Sequence, residues 1–462
     1  MKVLKFGGTS VGSAEKMRKI SNIIWQENPV VVVLSAMSGT TDKLTEINAL
    51  AGKGQKKAAR ALAKSLQSAY SQTAGELLGS QNREALFYID TLFNCISDQI
   101  KKLPSAEAEK EILSTGEKLS TFLFHKLLLQ QGRKAVLLDA TRIISLDHQR
   151  EPIPGALKER WHQILQSHND TEVFVTQGFI CRNASGETDN LGRGGSDYSA
   201  SLFGAALDAE EIQIWTDIDG VQNNDPRLVD NTRPVRHLRF EEAAELAYFG
   251  AKILHPLTIL PAQKANIPVL LKNTLHPEDP GTVIAASHDG KGFKAVAARD
   301  GITAIRIRSS RMLLAYGFMR KVFEVFEEFR TPIDMVTTSE VAVSITVDDS
   351  THLQEIVDVL QAYGTVEVED NKTIVGVVGL IQAHEPGYAH QLFEALDDIP
   401  IRMISYGASR YNFSLLVNTE DKEKTLNALN DRLFHNKLTK TGKRAQPYVK
   451  NLTNLKNFVQ NH

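Results

Sequence analysis

Residues 1–12 read MKVLKFGGTSVG, and this stretch decides the fold. Val3, Leu4 and Phe6 form a short apolar run broken only by Lys5. Gly7 and Gly8 follow at once, then Thr9 and Ser10, then a segment with helical spacing. An apolar strand, a glycine turn and a hydroxyl-rich helix start make an anion site, because turn N–H groups and the helix dipole both favour negative charge there. Lys5 adds a full positive charge, and a lysine so near the end of a buried strand needs a partner. A phosphate group suits such a site. The stretch matches neither the Walker A spacing nor GxGxxG, so a tight structural turn stays open as the plain alternative.

The bulk properties narrow the class. At 462 residues the chain is long enough for two to four domains with real cores. Its formal net charge of −2 gives no argument for a nucleic-acid or membrane surface. Cys95 and Cys181 are the only cysteines, which excludes a disulfide framework or a multi-cysteine metal site and fits a reducing compartment. The chain opens directly on a strand, without a signal peptide or an apolar run long enough to span a bilayer. A cytoplasmic protein is the expectation.

Outward from the first strand, apolar runs recur. VVVVL at 30–34 precedes the small-residue loop SAMSGTTD. Further runs lie at 135–138, 172–180, 212–215 and 267–271. Between them, residues 48–102, 105–131, 199–206 and 239–253 have helical spacing. Strands alternating with helices predict a mainly parallel α/β sheet between helices, with ligands at the carboxyl ends of the strands.

After about residue 293 the elements shorten and a block repeats. GFMRKVFE at 317–324 matches GYAHQLFE at 387–394 in its Gly, aromatic, Phe and Glu positions. IDMV at 333–336 then matches IRMI at 401–404, and VSI at 343–345 matches FSL at 413–415. We expect two copies of a small α+β module, each a strand, a glycine-started helix and two strands. The basic stretch 437–462 is expected to be a solvated terminus.

Three polar loops in the first part carry chemistry beside Lys5. SGTTD at 38–42 is the first. GRGGSD at 192–197 surrounds Arg193 with glycines, which suggests close approach of backbone and guanidinium to a ligand. TDIDGV at 216–221 runs on to DPR at 225–227, and a plain Asp-Gly turn is its alternative. Glu117 lies on a helix and Lys252 near a helix end, where solvation and dipole compensation are the plain readings. No Ser/His/Asp triad or metal-ligand spacing is evident, and His255 before Pro256 is expected to be a helix-terminus residue.

Taken together, KFGGTS at 5–10, LGRGGSD at 191–197, WTD at 215–217, DPR at 225–227 and FGAKILHP at 249–256 resemble the aspartate kinase family. The resemblance runs from residue 1 to about 434, with the motifs in order. It implies an amino-acid-kinase fold over 1–292, followed by two ferredoxin-like ACT regulatory modules over 293–370 and 371–436 and the basic extension 437–462. It further implies ATP-dependent phosphorylation of the L-aspartate side chain, the first step of lysine, threonine and methionine biosynthesis, with Mg2+ accompanying ATP. MVTTSEV at 335–341 resembles the monofunctional, lysine-inhibited type, and with no second catalytic domain after 462 a fused homoserine dehydrogenase is not expected. The implied catalytic residues are Lys5, Asp197 and Lys252. Lys5, Gly7, Gly8, Ser10, Thr216, Asp217, Gln222, Arg227, Lys252 and Ile253 would hold ATP. Thr41, Glu117, Arg193, Ser196 and Asp197 would hold aspartate. The family usually has Tyr or Phe where Gln222 stands, so the stacking such a ring would give a nucleotide is missing from this set.

The first repeat copy has Asp334 where the second has Arg402. A lysine effector needs an acidic partner for its ammonium and amides for its carboxylate. The expected effector site comprises Met312, Gly317, Phe318, Met319, Ile333, Asp334, Thr338, Ser339 and Glu340 in the first copy, and the second copy is not expected to bind lysine the same way. A homodimer through the ACT modules is implied by the resemblance. Other amino-acid kinases, and a non-catalytic amino-acid sensor on a kinase scaffold, are the alternatives.

Overall fold

The structure is a computed structural model that describes residues 1–102, 105–250, 254, 256–287, 290–309, 316–381 and 385–435. Lys252, Ile253, His255, Met312 and the basic stretch 437–462 lie outside the described residues.

An eight-stranded sheet forms the first unit. Its order is His237–Arg239, Thr282–Ala285, Val269–Asn273, Ile212–Thr216, Lys2–Phe6, Val30–Leu34, Val173–Gln177 and Ala135–Leu137. Neighbours run parallel except where Thr282–Ala285 meets Val269–Asn273. Lys2–Phe6 sits in the middle, hydrogen-bonded on both sides, and Val30–Leu34 is buried throughout. A parallel strand buried on both faces requires such an unbroken apolar run. One face packs on helices Ala14–Ile23, Lys56–Leu78, Arg83–Lys101 and Ala106–Gln130; the other packs on Pro154–Ser167 and Gly195–Leu207.

The helix after the first strand begins later than the sequence suggests. It spans Ala14–Ile23, and its N-terminus is closed by its own Ser13, whose hydroxyl accepts from Lys16 N–H at 3.3 Å. Residues 7–13 form a compact turn instead, with Ser10 N–H donating to Gly7 C=O at 2.9 Å and Val11 N–H to the same oxygen at 3.2 Å.

The second unit is a six-stranded antiparallel sheet. Its order is Val336–Thr338, Ala342–Val347, Gly292–Arg308, Thr365–Leu380, Asn412–Asn418 and Met403–Tyr406. The two repeats are present, and each begins its first helix after a left-handed glycine: Gly317 (φ 79°) before Phe318–Glu328 and Gly387 (φ 104°) before Tyr388–Ala395. They are interlaced through two long strands. Residues 302–308 of Gly292–Arg308 pair with the first copy, against 342–347 and 365–372. Residues 292–299 of the same strand pair with 374–380, which in turn pair with 412–418 of the second copy. Each copy thus has strand order 4-1-3-2, and the second takes its fourth strand from residues that precede the first.

Each copy has its own apolar core, around Val322, Phe326 and Ile345 in one and Leu392, Phe413 and Leu426 in the other. The opposite face of the sheet joins the core of the first unit through Ala295, Ile374, Met403 and Leu416. Among the described residues, no helix is long and apolar enough to cross a membrane.

Candidate active site

The carboxyl end of Lys2–Phe6 opens into a cavity of about 410 Å³. Its lining comes from four segments: Lys5 with Gly8, residues 35–42, Glu117, and residues 179–197. Lys5 is 8% exposed, and its Nζ lies 2.6 Å from Asp197 Oδ1. This is the partner that a lysine in a buried strand requires. Asp197 sits in the first turn of helix Gly195–Leu207, where the dipole favours a carboxylate.

Two helices begin at this cavity, Thr40–Gly52 and Gly195–Leu207. Each starts after a left-handed glycine, Gly39 (φ 74°) and Gly194 (φ 72°), and neither has a side-chain cap. Their positive ends face the cavity without a side-chain cap, each with one carboxylate in its first turn, Asp42 and Asp197, and this end of the sheet is the anion-attracting region. The sequence reads an anion site at Gly7-Gly8, and the structure adds these two helix starts beside it. Gly7 N–H is spent on Trp215 C=O at 3.3 Å, extending the sheet by one residue. Gly8 is required for close approach, since a Cβ there would come within 2.8 Å of Ala36 O. Ser10 Oγ is engaged with Thr274 Oγ1 at 2.7 Å.

Glu117, 4% exposed, lines the same cavity as the Lys5–Asp197 pair. Its Oε1 accepts from Ala36 N–H at 3.3 Å, and Oε2 has no hydrogen-bond partner among the described residues. Burial pushes its carboxyl up to about 8, offset in part by the backbone N–H groups. Gly116 allows this placement: a Cβ there would lie 2.7 Å from Ala36 Cβ, so a larger residue would push helix Ala106–Gln130 off the 36–40 loop. Ser120 Oγ ties the same helix to Ser35 C=O at 2.7 Å.

Among the remaining acceptor-side residues of the sequence reading, Thr41 and Ser196 line the cavity. Arg193 is exposed on the loop before helix Gly195–Leu207 and is not part of the lining. The nucleotide-side residues reach the same end of the sheet by register, because Phe6 pairs with Trp215 and Thr216 follows. They stand apart from the cavity lining. Thr216 Oγ1 accepts from Ile218 N–H at 3.2 Å, Asp217 is exposed, and Gln222 Nε2 donates to Asp219 C=O at 3.2 Å. Arg227 is held in a fork on Asp225 at 2.9 and 2.7 Å, which keeps the Asp225 carboxyl below its ordinary range. The Asp-Gly turn of this loop is real: at Gly220 (φ 64°) a Cβ would strike Thr282 Oγ1 at 2.3 Å.

Lys272 escaped the sequence reading. It is the fourth residue of Val269–Asn273, as Lys5 is of Lys2–Phe6, and its Nζ lies 5.3 Å from the Trp215 ring centroid. The same signal was available, a lysine near the end of an apolar strand.

The expected effector residues divide. Gly317 begins helix Phe318–Glu328, the Phe318 side chain is buried in the first copy's core, and Met319 and Ile333 pack against that core. Thr338, Ser339 and Glu340 are exposed, Thr338 at the end of Val336–Thr338 and the other two in the turn before Ala342–Val347. Asp334 is bonded to Tyr248 and Arg299. In the second copy, Arg402 Nε donates to Glu369 Oε2 at 3.1 Å, so charge at that position is reversed and already paired.

Comparison with known proteins agrees with this geometry. Residues 1–273 match the amino acid kinase family and residues 375–433 match the ACT domain. The lysine-sensitive aspartokinase 3 of Escherichia coli is 33% identical over 447 residues, covering 94% of this chain and 99% of that protein. The crystal structure of E. coli aspartokinase III with aspartate and ADP, in the R-state, superposes with a TM-score of 0.80 at 33% identity, covering 94% of this chain and 100% of that one. Its T-state complex with lysine and aspartate gives a TM-score of 0.78 at 34% identity, over 94% and 99%. A kinase-family match over more than half the chain, relatives aligned along nearly their whole length and the shared fold place this chain in the aspartokinase family.

Proposed function

We propose that the cavity binds L-aspartate with its ammonium on Glu117 and its side-chain carboxylate toward Lys5, and that the chain phosphorylates that carboxylate from ATP. The observation that carries this reading is the presence, in the lining of one cavity, of a buried lysine and a buried, half-unpartnered glutamate. A zwitterionic amino acid complements both. Arg193, exposed at the rim, suits the α-carboxylate by forked pairing, and Thr41, Ser196 and Asp197 complete the acceptor side.

The chemistry needs no general base. The aspartate side chain has an ordinary pKa of about 4 and is ionised at neutral pH. One carboxylate oxygen attacks the γ-phosphorus, the new P–O bond forms as the bond to the bridging oxygen breaks, and the electron pair leaves on ADP. The protein must align two anions and neutralise charge on the phosphoryl group in transit. Lys5 and the two uncapped helix starts supply that charge, and Asp197 holds the Lys5 ammonium in place. Lys252 and Ile253, with Thr216, Asp217, Gln222 and Arg227, are proposed for the nucleotide.

Mg2+ would be carried on the nucleotide's phosphate oxygens, where it neutralises their charge.

Lysine is proposed as the inhibitor, bound in the first copy at Met312, residues 317–319, Ile333, Asp334 and residues 338–340. The lysine-bound T-state of the E. coli relative supports this. The register supports one inserted module, residues 301–371, within a second built from 292–300 and 372–435. Val336–Thr338 and Met403–Tyr406 end the sheet, which suits edge pairing with a second copy in a homodimer. The free thiols of Cys95 and Cys181 suit a reducing cytoplasm.

Hydroxylamine trapping tests the reaction. Protein, ATP, Mg2+ and L-aspartate should yield aspartyl hydroxamate, because an acyl phosphate acylates hydroxylamine. ATP consumption without hydroxamate would defeat the assignment.

A further inference from the structure

The helix Phe240–Tyr248 runs directly into residues 249–255, which carry Lys252, and it is seated on the regulatory sheet. Three attachments reach the second copy. Lys294 Nζ donates to the fully buried Glu242 at 2.6 Å. Ser409 Oγ donates to Glu245 Oε1 at 2.8 Å. The Phe249 ring fills the space before Gly376, where a Cβ would lie 2.4 Å from the ring. A fourth attachment reaches the first copy: the Tyr248 hydroxyl donates to Asp334 Oδ1 at 2.6 Å.

Asp334 is the junction of a small charged cluster. Arg299 Nη1 lies 3.3 Å from the same Oδ1, and its guanidinium stands 5.4 Å from the Tyr248 ring centroid. Arg299 also pairs with Asp348. The Asp334 side chain is only 3% exposed, and its Oδ2 has no hydrogen-bond partner among the described residues. One oxygen of a buried carboxylate thus serves two donors while the other waits for one.

We propose that Tyr248 is a positioning residue: it ties the C-terminal end of helix Phe240–Tyr248, which Lys252 follows in sequence, to Asp334, and an ammonium ligand at Asp334 competes with it. This rests on the reading that the first copy binds lysine. An ammonium reaching Oδ2 draws carboxylate charge away from Oδ1 and loosens the tyrosine. By linkage, the tyrosine must weaken ammonium binding to the same degree. The Asp334 carboxylate thus holds the last residue of this helix, from which the chain continues in sequence toward Lys252.

The test is calorimetric titration of the full-length protein with L-lysine, wild type against Tyr248→Phe. Phenylalanine keeps the ring and its packing and deletes the donor. The variant should bind lysine about tenfold more tightly, as expected for a lost hydrogen bond to a charged competitor. Without lysine, its KM for ATP should move toward the wild-type value at saturating lysine, while kcat moves less. Unchanged or weaker lysine binding overturns the proposal. If wild type itself takes up no lysine, the effector reading falls with it; if wild type binds and the variant binds equally, the coupling alone falls.

Discussion

Glu117 offers the most demanding check of the acceptor site, because its protonation must change when substrate binds. Burial pushes its carboxyl up to about 8 in the open cavity. At pH 7 such a group is about 90% protonated, and at pH 9 only about 10%. An aspartate ammonium placed on Oε2 favours the ionised form, so binding at pH 7 must expel close to one proton per site. At pH 9 the release should fall to roughly 0.1. Calorimetry of aspartate binding in two buffers of different ionisation enthalpy reads this number directly. In Glu117→Gln the proton release should vanish, and affinity for aspartate should fall by about 2 to 4 kcal/mol, the effect of removing one partner of a buried ion pair. Proton release that is absent at pH 7, or equal at pH 7 and pH 9, would refute the placement of the ammonium on Glu117.

Further outcomes follow from the same geometry. Because the folded-state pKa of Glu117 is raised, its contribution to stability is full below the ordinary carboxyl pKa and is lost as pH rises through about 8. Glu117→Gln should therefore be more stable than wild type at pH 9, by up to ~5 kcal/mol, and close to it at pH 4; urea unfolding at both pH values measures the difference. Lys5→Ala should lower kcat by at least ~100-fold in an ADP-release assay while calorimetric lysine binding persists. Gly116→Ala should raise KM for aspartate and lower the melting temperature, since its Cβ would lie 2.7 Å from Ala36 Cβ. Asp334→Ala, which also removes the acceptor of the Tyr248 hydroxyl, should shift KM for ATP without lysine as Tyr248→Phe does, leave kcat close to normal, and raise the lysine concentration needed for half-inhibition by about tenfold or more.

Much of the catalytic unit was legible because period and composition are local. VVVVL at 30–34 was readable as a buried parallel strand, and its observed span is the same. Lys5 and the GRGGSD loop announced themselves by chemistry that a buried strand and a bare turn do not need. The helix start after Gly7-Gly8 misled in position, because Ser13 competes as a cap six residues on, and the helix starts at Gly39 and Gly194 had no such signal. The repeat of 317–324 at 387–394 was visible, but the interlacing was not. Residues 292–308 form one continuous strand, and nothing local records that its two halves pair with different copies. The Tyr248–Asp334 bond, across 86 positions, had no signal at all in periodicity or spacing.

The central claim is that the Lys5–Asp197–Glu117 cavity selects aspartate as phosphoryl acceptor. An ADP-release assay with ATP and Mg2+, supplied in turn with L-aspartate, L-glutamate and N-acetyl-L-glutamate, tests it most directly. The account predicts turnover with aspartate, suppressed by added lysine, and little with the other two. Turnover that favours glutamate or its acetyl derivative, or none with any acceptor, would contradict it.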